Sequence, residues 1–389
     1  MKNRKTQVFL LTLYAYFAIG CMVLTVNTAL KTIIVEYGWS DAQGGLLISF
    51  LSMGNLAASM LAGFVAQRLG RRRTMMLYGA LIAVSYTLFA LLPSPQLFYP
   101  LMLLAGFAWG GINSLDNTIV SELYDGSASR LNVLHSFYAA GAVVAPLALG
   151  FILQQGGSWR LPVWAVAALG LGLTLLSVLI PIPEPASTRK AGGKRSTVTF
   201  HQETGFYLGV VMFFTYVGVE TAACAWLSGY LAQTNAFFQQ VPSETMVSLM
   251  WLTMIVGRLT FAAVGMKLNK QMLLILLACG FLLGMLGIIY GSGSTVLAIA
   301  SVAFMGLSMS AMYAVCVANN ARYVACSPVA SGILFGGGGL GAAAVPYLAG
   351  IVSDHAGMQN GMLSLCAFLV VLIIASILNL KNHRSAENG

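Results

Sequence analysis

Charge is what this sequence has least of. Only 8% of its 389 residues are Asp, Glu, Lys or Arg, against 58% that are hydrophobic. A soluble domain carries about 25% charged residues, so the chain has roughly a third of the charge that a water-facing surface needs. That shortage excludes a soluble enzyme, a nucleic-acid-binding protein and a disordered chain. Acids are the scarcer sign, 11 against 20 Lys and Arg. In a soluble protein the surplus would suggest a polyanion partner; here it is tested first as a membrane topology signal. Histidines number 4, and the six cysteines (Cys21, Cys224, Cys279, Cys316, Cys326, Cys366) lie inside apolar runs with no CxxC pair. They read as small packing residues, and neither a metal site nor a cofactor is expected. No Gly-x-x-x-x-Gly-Lys-Ser/Thr phosphate loop occurs, which argues against an ATP-driven pump.

What the chain does have is long apolar runs. A helix needs about 20 apolar residues to cross a bilayer. Twelve such runs are expected, near 8–35, 43–67, 74–92, 97–122, 131–154, 160–181, 206–233, 244–266, 271–290, 295–321, 328–353 and 358–380. The first continues to about Ile34 without a small-residue cleavage site and reads as a retained span rather than a signal peptide. Glycines, 42 in all, are scattered through the spans, which suits helices that approach closely. With the N-terminus inside, all Lys and Arg but Lys31, Arg160 and Arg258 fall on the cytoplasmic side. Both termini are therefore expected in the cytoplasm, with the protein in a bacterial inner membrane. The stretch from Pro183 to Gly205 is rich in Pro, Gly, Ser, Thr and basic residues. It divides a six-helix bundle at 1–182 from another at 206–389, with 183–205 as cytoplasmic linker.

The two halves match at an offset of 200. Residues 141–150 read GAVVAPLALG and 341–350 read GAAAVPYLAG; Gly106 aligns with Gly306. Six is even, so the copies enter the membrane with one orientation, as parallel repeats. The expected fold is an all-α membrane protein of 12 transmembrane helices in two parallel six-helix repeats.

This 6+6 plan, the basic central linker and the segment Gly63-Phe64-Val65-Ala66-Gln67-Arg68-Leu69-Gly70-Arg71-Arg72-Arg73 together resemble the major facilitator superfamily. The resemblance implies the major facilitator fold, and transport by alternating access. It implies a cytoplasmic gate at Arg68, Arg71 and Arg72, although Gln67 stands where that family usually has Asp. The patches Asn113–Asn117, Arg130–Phe137, Tyr216–Glu220 and Trp226 resemble the fucose–proton symporter branch and its sugar-transporting relatives, with neutral Asn113 where the symporter has an acid.

Ionisable groups inside a bilayer cost several kcal/mol, with estimates from about 2.5 upward, and survive by facing a cavity or a partner. Glu220 sits midway along the seventh span, where a carboxyl can hold a proton near neutral pH and release it when water or a cation arrives. Asn113, Asp116 and Asn117 form a polar stripe on the fourth span, suited to a hydroxyl-rich ligand. Glu220 and Asp116 are the expected proton-coupling acids. Asn113, Asn117, Tyr138, Trp226, Trp109, Asn27, Tyr313 and Asn319 are the expected solute contacts. Arg130 is a gating candidate, and Arg258 either pairs with a carboxylate or contacts an anionic solute. His135 can titrate near neutrality, and Trp39 and Trp159 read as interface belt residues.

The function expected is proton-coupled symport of a small polar solute, a sugar or sugar derivative, by a monomer in contact with membrane lipids. It is not an enzyme and binds no nucleic acid. Sodium in place of the proton stays open, as do a drug–proton antiporter of the same fold and a membrane sensor that does not translocate.

Overall fold

The computed structural model describes residues 2–388 apart from 93, 126, 185–199, 265–268 and 327. Side chains are described at those positions except 2, 3, 128, 262–264, 325, 326, 328 and 383–388. Most of the linker, with Arg189, Lys190, Lys194 and Arg195, lies outside the described residues, as does Lys267. Every regular element among the described residues is a helix. The chain forms two compact units, Met1–Gly38 with Leu46–Ala191, and Trp39–Gly45 with Gly192–Gly389.

The first unit contains α1 (Lys2–Tyr37), α2 (Asp41–Leu69, less its first turn), α3 (Arg71–Leu91), α4 (Phe98–Leu123), α5 (Ala128–Gln154) and α6 (Arg160–Leu179). The second contains α7 (Thr204–Thr234), α8 (Phe237–Gln240), α9 (Glu244–Val264), α10 (Lys270–Gly291), α11 (Thr295–Met309), α12 (Met312–Asn319), α13 (Ala321–Cys326), α14 (Pro328–Ala356) and α15 (Met358–Asn388). The first turn of α2 groups with the second unit because Asp354 caps it. The backbone N–H groups of Asp41 and Ala42 donate to that carboxylate at 2.7 and 2.9 Å.

Among the described residues, ten helices are long and apolar enough to cross a membrane, Thr295–Asn319 counted as one span. The two further expected spans, 97–122 and 244–266, coincide with α4 and α9. Within α4 the stripe Asn113-Asp116-Asn117 dilutes the hydropathy, and the side chains of α9 are described only as far as Phe261.

The repeat seen in the sequence is a repeat of packing. α5 lies along α1 as α14 lies along α7, and α6 lies along α3 as α15 lies along α10. The shared glycines sit at the closest crossings. A methyl group at Gly141 would collide with the carbonyl oxygen of Phe17, and one at Gly341 with that of Phe214. A methyl at Gly106 would strike the Leu51 carbonyl; at Gly306 it would strike Thr253 Oγ1 and the Met250 carbonyl. Only glycine lets the backbones approach so closely, and membrane helices associate through such contacts. Pro146 and Pro346 stand inside α5 and α14 at matching positions.

Trp159 departs from its expected place in the interface belt. It is buried against Phe89, and its indole N–H donates to Glu36, which also pairs with Arg160 at 2.7 Å. A local acid gave the indole a better partner than a lipid head group. Cys21, Cys224, Cys316 and Cys366 are buried and free, the packing role expected of them.

Candidate functional site

Each unit builds its own polar cluster. In the first unit the spacing of four brings Asn113 and Asn117 onto one face of α4, turned toward α1. There the buried hydroxyl of Tyr16 donates to Asn113 Oδ1 at 2.6 Å and accepts from Asn117 Nδ2 at 2.6 Å. Asn117 Nδ2 also reaches the Asn113 carbonyl at 2.8 Å. The ring of His135 stands edge-on to Tyr16, with centroids 5.3 Å apart. Both asparagines remain partly exposed, so amide donors and acceptors beyond these bonds are free for a ligand. The cluster is neutral and rich in hydrogen-bonding groups.

Asp116 does not share that face. It is fully buried, and neither carboxylate oxygen has a hydrogen-bond partner. An ionised carboxylate so placed is costly. The counterpart of Asp116 at the offset of 200 is Cys316, also fully buried.

In the second unit the cluster forms where a span is interrupted. α11 stops at Met309 and α12 begins at Met312, leaving Ser310 and Ala311 between them. An interruption frees backbone carbonyls that need partners inside a membrane. Tyr216 of α7 donates its hydroxyl to the Met309 carbonyl at 3.4 Å, and Arg258 Nε of α9 donates to the Ser310 carbonyl at 3.4 Å. Glu220, near the middle of α7, stands one turn beyond Tyr216 and within electrostatic reach of Arg258 and Tyr313. Glu220 and Arg258 are partly exposed rather than sealed. The acid, the cation and the helix break thus occupy one place.

Five expected solute contacts lie elsewhere or serve packing. Trp226 is buried, its indole N–H donating to the carbonyl of Pro346 at 3.2 Å, so it braces α7 against the proline of α14. Asn319 is buried and donates to the carbonyls of Val315 and Lys270. Asn27 is buried with an unbonded Oδ1, and Trp109 is half-buried on α4. Tyr138, half-buried, marks the crossing of α5 over Gly20 of α1. Tyr313 belongs with Glu220. Tyr16 is the site residue that sequence reading missed: a tyrosine in an apolar run looks like packing, and its link to Asn113 spans 97 residues.

The expected gating arginines divide sharply. Arg71 makes a two-pronged pair with Glu122 at the end of α4, at 2.7 and 2.8 Å, and its side chain is only 7% exposed. The start of the linker closes on the same point. Glu184 accepts from the backbone N–H of Arg71 at 2.9 Å, capping α3, and Arg71 also donates to the Pro183 carbonyl at 3.3 Å. Arg72 donates to the Ser177 carbonyl at 3.0 Å and to that of Val178, the last carbonyls of α6, a favourable place for a cation. Arg68 and Arg130 are exposed and lie over aromatic rings, Phe64 for the first and Phe9 and Tyr124 for the second. Glu122 is half-exposed and paired.

Two helical repeats with glycine-tight crossings, each holding a polar cluster in an apolar surround, define a multi-pass integral membrane transporter. The chain belongs to the Major Facilitator Superfamily, whose sequence profile matches residues 8–325. Among curated proteins it is similar to "Bypass of stop codon protein 6" of Saccharomyces cerevisiae, 24% identical over 92% of this chain and 79% of that protein. Among solved structures it is similar to a variant of the nucleoside transporter NupG. That likeness has a TM-score of 0.80 at 16% identity, over 97% of this chain and 99% of that one. The Fucose:proton symporter FucP of E. coli has a TM-score of 0.61 at 18% identity, over 96% of this chain and 98% of that one. These likenesses show the fold.

Proposed function

We propose that the protein is a proton-coupled symporter of a small polar solute, a sugar or sugar derivative, working by alternating access. The observation that carries this reading is the interrupted span, where Tyr216 of α7 and Arg258 of α9 bond the freed carbonyls one turn from Glu220. A carboxyl group beside a guanidinium can exchange a proton for that partner, so gaining or losing a proton changes what α7 and α9 hold between them. Solute binding that shifts Arg258 then shifts the affinity of Glu220 for its proton, and the reverse follows by linkage. Asp116 is the second candidate acid, but its sealed setting ranks it below Glu220. The Tyr16-Asn113-Asn117 cluster offers the neutral, directional hydrogen bonds that a polyhydroxyl solute needs. Solved neighbours described as a nucleoside transporter and a fucose–proton symporter support the solute class. The protein acts as a monomer in a cytoplasmic membrane with both termini inside, and lipids cover its exposed apolar residues.

Proteoliposomes loaded with a pH-sensitive dye test the reading. Adding sugars and sugar derivatives outside should produce solute-dependent alkalinisation of the medium and acidification of the lumen. Solute-dependent current that requires Na⁺ and moves no protons would instead assign the coupling to sodium. Proton release from the lumen in exchange for cationic drugs would overturn symport in favour of antiport.

A further inference from the structure

Beside Glu220 the second unit presents an aromatic surface that the coupling reaction does not use. Tyr313 in the first turn of α12 and Phe335 of α14 lie nearly parallel, 18° apart in plane, with centroids separated by 6.5 Å. Phe213 of α7 stands edge-on to both, at 5.7 and 5.5 Å, and fixes their orientation from behind. The backing ring is fully buried, whereas Tyr313 is 47% exposed and Phe335 38% exposed. Aromatic residues of a membrane protein often simply face lipid. Here Tyr313 stands one turn from the Met309 and Ser310 carbonyls that Tyr216 and Arg258 bond, and a guanidinium does not sit against acyl chains without a large cost. The open faces therefore belong to the same polar environment as Glu220 and Arg258.

Parallel, rigidly backed ring faces are the feature that stacks a flat ring, and such stacking tolerates any planar base. The neighbouring charges supply what the edge of that ring needs. Glu220 accepts hydrogen bonds. Arg258 has five N–H donors, of which the Ser310 carbonyl takes one. An acceptor and donors beside one stacking surface match a heteroaromatic ring whose edge carries both N–H and C=O groups. A plain hexose has no such ring.

We propose that the solute is a sugar derivative bearing a planar heteroaromatic group, of the nucleoside class, and that Tyr313 and Phe335 hold its base. This rests on the symport reading above and narrows its solute. The interrupted span contributes directly: it places Tyr313 at the start of a new helix, one turn from the carbonyls that Tyr216 and Arg258 satisfy.

Uptake of radiolabelled uridine and of glucose into proteoliposomes under an inward proton gradient tests the inference, with the intact protein and two variants. The expected result is concentrative uridine uptake that unlabelled glucose does not compete. Tyr313→Leu should weaken the apparent uridine affinity by about 5- to 150-fold, the loss of one base–aromatic stack. Tyr313→Phe, which keeps the ring and controls for folding, should retain it. Proton-driven uptake of glucose with no uridine binding or uptake would overturn the inference and leave the symport reading standing. Uridine uptake equally strong in Tyr313→Leu and the parent protein would overturn the assignment of the base to this surface. Failure of both solutes to move protons in the dye assay, with the protein monodisperse, would count against both.

Discussion

The fourth span of each repeat starts from one plan and ends in two. α4 runs unbroken past Gly110 and Gly111, whereas its counterpart is interrupted at Ser310 and Ala311. In the first unit the small residue is on α4: Gly110 lies so close to Asn55 of α2 that a methyl group would collide with it. In the second the small residue has moved to the neighbouring helix, where Gly257 of α9 makes room for Ser310. The chemistry diverges with the geometry. Tyr16 and Tyr216 stand at an offset of 200, yet one closes a neutral hydrogen-bond cluster while the other bonds a freed carbonyl beside Glu220. Asp116 faces Cys316 in the register, and Glu122 faces Arg322. The lesson is a division of labour: packing is conserved between the repeats at the glycines, and chemistry is concentrated where the packing was allowed to differ.

Substitutions at the shared glycines break the common part of the comparison and carry the largest effect. Gly106→Ala forces α4 off a rigid backbone carbonyl and should cost about 3 kcal/mol or more, at the upper end of overpacking. Gly306→Ala meets the Met250 carbonyl as well as the Thr253 hydroxyl and should cost somewhat less, because the hydroxyl can rotate away and the carbonyl stands farther off than that of Leu51 does at Gly106. Thermal unfolding of the purified variants, read beside their monodisperse yield, ranks the two.

The paired ends of the fourth spans come next. Arg71→Ala removes the partner of Glu122 from a nearly buried site and should destabilise by roughly 1–3 kcal/mol, less than a fully buried pair because Glu122 is 44% exposed. Arg322→Ala breaks the contact with Glu203, where the two side chains are 42% and 33% exposed, and should cost under about 1 kcal/mol. Equal losses in a melting assay would show that the two ends do not differ as described.

Much of this was legible in the residues themselves. Amides and an acid at positions 113, 116 and 117 stand out in an apolar helix, and Glu220 stands out for the same reason. The glycine and proline register announced the repeat. Other features depend on tertiary partners that no local pattern encodes. Ser308-Met309-Ser310-Ala311-Met312 contains no proline or glycine, so the interruption is set by Gly257, Tyr216 and Arg258 rather than by the segment. Trp226 was placed on the solute because it lies near Glu220 in sequence; Pro346, 120 residues away, claims its N–H instead. Asp116 shares a stripe with Asn113 and Asn117, but one residue of helical rotation turns it from an open face into the interior.

Two smaller effects sharpen the contrast between the clusters. Tyr16→Phe deletes the hydroxyl that joins Asn113 to Asn117 and should lower stability by about 1–2 kcal/mol, with solute affinity reduced and the ratio of accumulation to exchange unchanged. That is measured by uptake at graded solute concentrations. Asp116→Asn should be the mildest, leaving proton-driven accumulation intact, since the carboxyl it replaces has no partner to lose. Loss of accumulation with exchange preserved in Asp116→Asn would move the coupling acid into the first unit.

The most direct measurement compares proton-driven accumulation with equilibrium exchange in Glu220→Gln, using the same proteoliposomes and solute as the parent protein. A neutral amide beside Arg258 keeps the shape of the site and removes the exchangeable proton. Accumulation should therefore fall to the equilibrium level while exchange continues. Full accumulation against the solute gradient in Glu220→Gln would contradict the account, because Glu220 beside the interrupted span would then not be where proton and solute are coupled.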